Sequence, residues 1–165
     1  MRAIAALLAT ATLVMPGITA AQDAPELVHA FTITAEIGEA VDVGRTVRGP
    51  RRFIPITGGT VEGEGIDARV VPGAWDWQID RPDGCTDLEA DYFIETDDGA
   101  LINIVNQATI CRTEDGSMLP VFTRPVFEPP MGEYEWLGQG TFVGQLGLAA
   151  DHPVPAVRIT VYRVE

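Results

Sequence analysis

The tripeptide Asp97-Asp98-Gly99 constrains the fold of this chain more than any other feature. It separates two long alternating runs, Asp87 to Thr96 and Ala100 to Ile110. A three-residue loop of this kind is a type I turn followed by a glycine in the left-handed conformation, and it places Thr96 opposite Ala100. Opposed residues then have numbers that sum to 196, as do the chain's two cysteines, Cys85 and Cys111. The register therefore sets the cysteines face to face at the open end of the hairpin, at a disulfide-compatible distance. Their gap is unlike Cys-x-x-Cys, so a structural disulfide is expected rather than a reactive thiol pair. Such a bond closes a loop of about 27 residues, worth about 3–4 kcal/mol in the chain-entropy model.

The same register sorts side chains. Leu88, Ala90, Tyr92 and Ile94 share a face with Ile102, Ile104, Asn106 and Ala108, while Asp87, Glu89, Asp91 and Glu95 take the other. Tyr92 and Asn106 are thus polar tips on the packed side. They either satisfy each other in a core or line a ligand cavity.

Beyond this hairpin, helix signals are nearly missing because glycine and proline recur throughout. Strands are expected over Leu27–Ile37, Arg52–Thr57, Ala68–Val71, Ala74–Ile79, Pro120–Phe127, Tyr134–Leu137, Gly140–Leu148 and Val157–Val164. Turn residues join them, as in Val71-Pro72-Gly73 and Arg81-Pro82-Asp83-Gly84. Eight to ten short strands at this spacing predict an all-β barrel or sandwich.

The first residues carry a different signal. Arg2, the apolar run Ala3 to Val14 and the small residues Thr19-Ala20-Ala21 predict a cleaved secretory signal over residues 1–21. Residues 22–165 then form one domain, periplasmic or secreted, where a disulfide persists. That run is too short to span a bilayer, and no later run is longer.

The whole chain has net charge −13. A field of that sign repels phosphate backbones, so nucleic acid is not an expected partner. Lysine is absent and Ser117 is the single serine, outside any Gly-x-Ser-x-Gly elbow. Schiff-base, P-loop and serine-hydrolase chemistry are thereby excluded. His29 and His152 are the only histidines, too few for a histidine-rich metal cluster, and no cofactor or metal is expected.

Carboxylate, phenol and histidine acid–base chemistry is left. Asp76 lies between Trp75 and Trp77 in an expected strand. Facing a cavity, its ionised form would be disfavoured by desolvation, which suits a general acid or base. Alternation sets it against both tryptophans, so the alternative has the indoles inside and Asp76 in solvent. His29 falls on the face of Phe31 and Ile33, as a core or rim histidine. Pro125 interrupts the 121–127 run, which marks an edge or bend close to Arg124 and Glu128. Arg45, Arg48, Arg51 and Arg52 cluster in what reads as a solvated loop, with an anion or partner site as the alternative.

Several segments in order resemble the DUF3237 (UPF0311) family of small bacterial and fungal proteins. They include Ile54-Pro55-Ile56-Thr57-Gly58-Gly59-Thr60, Val71-Pro72-Gly73-Ala74-Trp75-Asp76-Trp77-Gln78 and Tyr92-Phe93-Ile94-Glu95-Thr96-Asp97-Asp98-Gly99. Pro125-Val126-Phe127-Glu128, Tyr134-Glu135-Trp136-Leu137 and Phe142-Val143-Gly144 follow. The resemblance implies a lipocalin-like antiparallel β-barrel with an internal cavity, and no settled chemistry. The chain departs from it at Gly138-Gln139, where an asparagine is common, and in its cysteines and export signal.

The expectation is a barrel that binds a small, largely apolar molecule, with Trp77, Tyr92, Asn106, Arg124 and Trp136 as ligand contacts. Asp76 is the candidate for cofactor-free acid–base catalysis of an isomerase, hydratase or lyase type. The rival is a non-catalytic binding or envelope interaction module.

Overall fold

The computed structural model describes residues 23–165, so the expected signal segment lies outside the described residues. Ten strands follow in order: β1 (Leu27–Ile37), β2 (Val41–Thr46), β3 (Gly49–Gly63), β4 (Ile66–Val70), β5 (Ala74–Asp80), β6 (Thr86–Thr96), β7 (Leu101–Ile110), β8 (Val121–Glu128), β9 (Phe142–Leu148) and β10 (Ala156–Val164). One short helix, α1 (Glu135–Gln139), lies between β8 and β9.

All pairings are antiparallel, and they close a ring of eight strand positions. From β1 the ring runs through β10, β9, β8, β7 and β6. The next position is shared by β4 and β5, which both bridge β6 to β3 and run in the same direction around the Val71–Gly73 kink. Pairing of β3 with β1 from Phe31↔Gly63 to Ile37↔Ile56 completes the circle. At that seam a side chain on Gly59 would come within 2.0 Å of the Thr34 carbonyl oxygen, and its φ is +133°, so only glycine fits.

The β6–β7 register is the one the turn chemistry predicts, from Glu95↔Leu101 to Thr86↔Ile110. Gly99 has φ +87°, and its N–H donates to the Thr96 carbonyl. Cys85 and Cys111 are joined by a disulfide, with Cα atoms 4.4 Å apart.

One part of the interior is packed with apolar side chains. Phe31, Ile33, Val61, Val70, Ile94, Ile102 and Ile104 are essentially inaccessible, contributed by β1, β3, β4, β6 and β7. Phe127 packs edge to face on both Phe31 and Phe142, with ring centroids 5.6 and 5.1 Å apart, and Phe31 lies tilted against Phe142 at 6.4 Å. Trp136 of α1 completes this aromatic group against Phe31 and Phe142.

Three expectations are corrected. Tyr134–Leu137 enters and forms helix rather than strand, because β9 pairs with β8 only at Val121, Phe122 and Thr123. Before Phe142 the chain does not pair with the rest of β8, and it satisfies its backbone locally, with Gly140 N–H bonded to the Trp136 carbonyl. The alternation of β1 breaks at a bulge between His29 and Phe31, which turns His29 to the exposed surface, edge-on to Tyr162. The arginine cluster is no loop. Arg45 lies in β2, Arg51 and Arg52 lie in β3, and Arg48 sits at the tip between them.

Replacing both Cys85 and Cys111 by alanine should lower the unfolding free energy by about 3–4 kcal/mol in urea titration.

Candidate functional site

The other part of the interior is lined by β3 and β5 to β8. Its inward positions fall into cross-strand rows set by the register. One row is Ile54, Asp76, Ala90, Asn106 and Pro125; the next is Arg52, Gln78, Leu88, Ala108 and Thr123. Tyr92 lies two residues beyond Ala90 on β6, opposite Ile104. Many of these side chains are short or polar, unlike the packed half.

Four buried polar atoms on this wall have no hydrogen-bond partner among the described residues. They are Asp76 Oδ1, Tyr92 Oη, Asn106 Oδ1 and Thr123 Oγ1. Each comes from a different one of four successive ring positions, β5, β6, β7 and β8. A buried polar atom without a partner costs about 1–3 kcal/mol. Four on one wall is therefore a costly arrangement for a purely structural core.

Asp76 is the best positioned of the four. Its Oδ2 accepts from Gln78 Nε2 at 2.7 Å. The Gln78 amide is held in turn, since Arg52 Nε donates to its Oε1 at 2.8 Å. Arginine only donates, so Gln78 must present its oxygen to Arg52 and its NH₂ to Asp76. Arg52 is anchored on Asp80 through Nη1, at 3.1 and 3.2 Å. Thr86 Oγ1 also donates to Asp80, at 2.8 Å. The Arg52–Asp80 pair is partly exposed, so the chain Asp80, Arg52, Gln78, Asp76 runs from the rim to the interior.

Burial raises the Asp76 pKa above its ordinary value. The Gln78 amide, the Arg52 charge and the Glu89 backbone N–H oppose that shift without cancelling it. Burial likewise pushes the Tyr92 phenol far above its usual range, so it stays a neutral donor. At the rim the Thr86 hydroxyl and Arg52 hold Asp80 below the ordinary carboxylate range. The site thus pairs a reluctant carboxylate inside with a stable one at its edge.

The expected site residues separate into three places. Asp76, Tyr92 and Asn106 share the inner wall. Trp77 and Arg124 do not join them; they lie on the outer face in one row, Trp77–Glu89–Gln107–Arg124. Trp136 belongs to the aromatic group under α1. The tryptophans flanking Asp76 stack outside against Phe53, so the carboxylate faces inward and the indoles do not. Gln78 and Thr123 were not singled out, and Arg52 was read only as a member of the arginine cluster, not as a partner of Asp76. Gln78 shares the strand face of Asp76 two residues on, the one local signal that marked it.

Among the described residues no group of three or more His, Cys, Asp or Glu could hold a metal ion. No helix there is long and apolar enough to cross a membrane.

Fold and inner wall define a class, the small closed antiparallel barrels with an interior part apolar and part polar. The chain belongs to the DUF3237 family of proteins of unknown function, whose family model matches residues 25–164. A UPF0311 protein of Rhodopseudomonas palustris is 40% identical over 141 residues, covering 78% of this chain and 92% of that protein. A UPF0311 protein of Clostridium acetobutylicum is 34% identical over 126 residues, covering 68% and 80%. A crystal structure of a conserved R. palustris protein of unknown function superposes with TM-score 0.76 at 37% identity, covering 87% of this chain and all of that one. A β-barrel-like protein of Acinetobacter baumannii gives 0.74 at 26% identity, covering 89% and 100%. An enzyme from Penicillium herquei shares the fold, with TM-score 0.67 at 20% identity, covering 90% and 100%.

Two stability measurements check this site. The folded pKa of Asp76 is raised above its ordinary 3.8. Its contribution to stability is therefore complete below that value and is lost as the pH rises through the folded value. Asp76→Asn has no such loss, so unfolding free energies measured from about pH 4 to about pH 7 should shift progressively in its favour relative to the natural chain. Tyr92→Phe removes an unpartnered hydroxyl and should stabilise the ligand-free protein by about 1 kcal/mol in urea titration.

Proposed function

We propose that the polar half of the barrel interior binds a small, largely apolar molecule bearing a carbonyl or similar acceptor, and that Asp76 exchanges a proton with it. The four unpartnered polar atoms on four successive strands carry this reading. The neighbouring apolar wall would take the body of the molecule, and the Tyr92 hydroxyl would donate to its oxygen. Asp76 Oδ1 would accept a proton from the carbon next to that carbonyl group and return it elsewhere. The Tyr92 hydroxyl would meanwhile stabilise the negative charge that develops on the oxygen. Abstraction and return give isomerisation; abstraction with loss of a leaving group gives elimination, and the reverse gives hydration. Atoms balance in each case without a redox partner. Arg52 and Gln78 act as positioning residues that hold the carboxylate with Oδ1 directed at the ligand. The disulfide supports a location outside the cytoplasm, periplasmic or secreted.

Native mass spectrometry of the disulfide-bonded chain after incubation with a metabolite extract tests the binding. Retention of a small molecule by the natural chain is expected, and Tyr92→Phe should retain it about ten-fold more weakly despite its greater stability. Conversion of the retained molecule, read by chromatography and lost in Asp76→Asn, would make the site catalytic. Retention without conversion would make the chain a carrier, and no retention would overturn the reading.

A further inference from the structure

A second concave region lies on the outer face of the same four strand positions. It is a cleft of about 640 Å³ that runs over the outward row of Trp77, Glu89, Gln107 and Arg124. The adjacent row of Arg51, Ile79, Asp87 and Thr109 forms its other wall, and the β2–β3 tip brings Arg48 over one side.

Its charges are unevenly matched. Asp87 accepts from Thr109 at 2.8 Å and from Arg81 at 3.1 Å, while Asp83 also binds Arg81. Glu89 accepts from Gln107 Nε2 at 2.6 Å. Arg48, Arg51 and Arg124 form no ion pair among the described residues. In a chain with 24 acidic and 11 basic residues, three guanidinium groups without carboxylate partners converge on one cleft. The acidic field of the chain repels anions at long range, and within about 8 Å these three groups reverse its sign.

The apolar component is equally local. Arg51 lies over the Trp77 ring, with Cζ 5.2 Å from its centroid. Phe53 and Trp75 back that indole, with centroids 5.7 and 6.3 Å away. An aromatic wall beside planar, weakly hydrated cations matches a flat anion better than a compact, strongly hydrated one.

We propose that this outer cleft is a second binding site, separate from the barrel interior, for a small anion with a planar aromatic body, such as an aromatic carboxylate. The guanidinium groups of Arg48, Arg51 and Arg124 receive the carboxylate end, and the ring system packs against Trp77.

The test is a titration of the isotope-labelled, disulfide-bonded chain with 1-naphthoate, 1-naphthalenemethanol and inorganic phosphate, read by nuclear magnetic resonance. Naphthoate should bind about ten-fold or more tightly than the neutral alcohol and move the Nε–H signals of Arg51 and Arg124 with the indole N–H of Trp77. The double variant Arg51→Gln/Arg124→Gln should lose about ten-fold or more of that affinity, with Arg48→Gln/Arg124→Gln as the substitute if the first does not fold. Tyr92→Phe, which alters only the interior, should stay within about two-fold of the natural chain. Equal binding of the alcohol, or naphthoate affinity unchanged by loss of the arginines, would overturn the proposal. So would phosphate moving the same signals as tightly as naphthoate, which would make the cleft a bare anion site.

Discussion

Everything in this structure depends on the pairing that closes the barrel, the one between β3 and β1. Strand β3 is long enough to take part in two neighbourhoods. Its N-terminal half pairs with β2 and β5, its C-terminal half with β1 and β4. Without the β1–β3 seam the sheet would be an open meander with two long unpaired edges, and its inner face would meet water. The close approach at Gly59 shows how tightly that seam is made.

Closure creates an inside, and the inside is divided. One half is filled by isoleucine, valine and phenylalanine, with α1 bringing Trp136 onto it. The other carries Asp76, Gln78, Asn106 and Thr123, which a water-exposed sheet could hold at no cost. Once enclosed they are expensive unless partnered, and Gln78 is partnered while Asp76 Oδ1, Asn106 Oδ1 and Thr123 Oγ1 are not. The packed half supplies the stability that allows the polar half to keep unpartnered groups. That division of labour distinguishes the two halves of the interior.

How much of this was legible depended on how far each inference reached along the chain. The hairpin at Asp97-Asp98-Gly99 contains its own register, so the Cys85–Cys111 bond and the shared face of Tyr92 and Asn106 follow from local geometry. Asp76 was legible as a candidate but not as an inward residue. A single strand alternates without saying which face is inside, and its neighbours on β3 and β6 decide that. Trp77 and Arg124 were read as site residues on residue type; opposite alternation puts them outside, at the two ends of one row across β6 and β7. His29 was misplaced by a bulge that leaves no clear mark in composition. The Tyr134–Leu137 segment was misread because so short an apolar run fits helix and strand equally.

By itself, the sequence determined the class of fold, the β6–β7 register and the chemistry the chain excludes, since turn residues, alternation and missing residue types act locally. Only the tertiary structure decided which face of each strand is interior, that Arg52 and Gln78 hold Asp76, and that three arginines share an outer cleft with Trp77. These depend on pairings between residues far apart in the chain. Such contacts form only when the ring closes, and no local pattern encodes the side from which it does so.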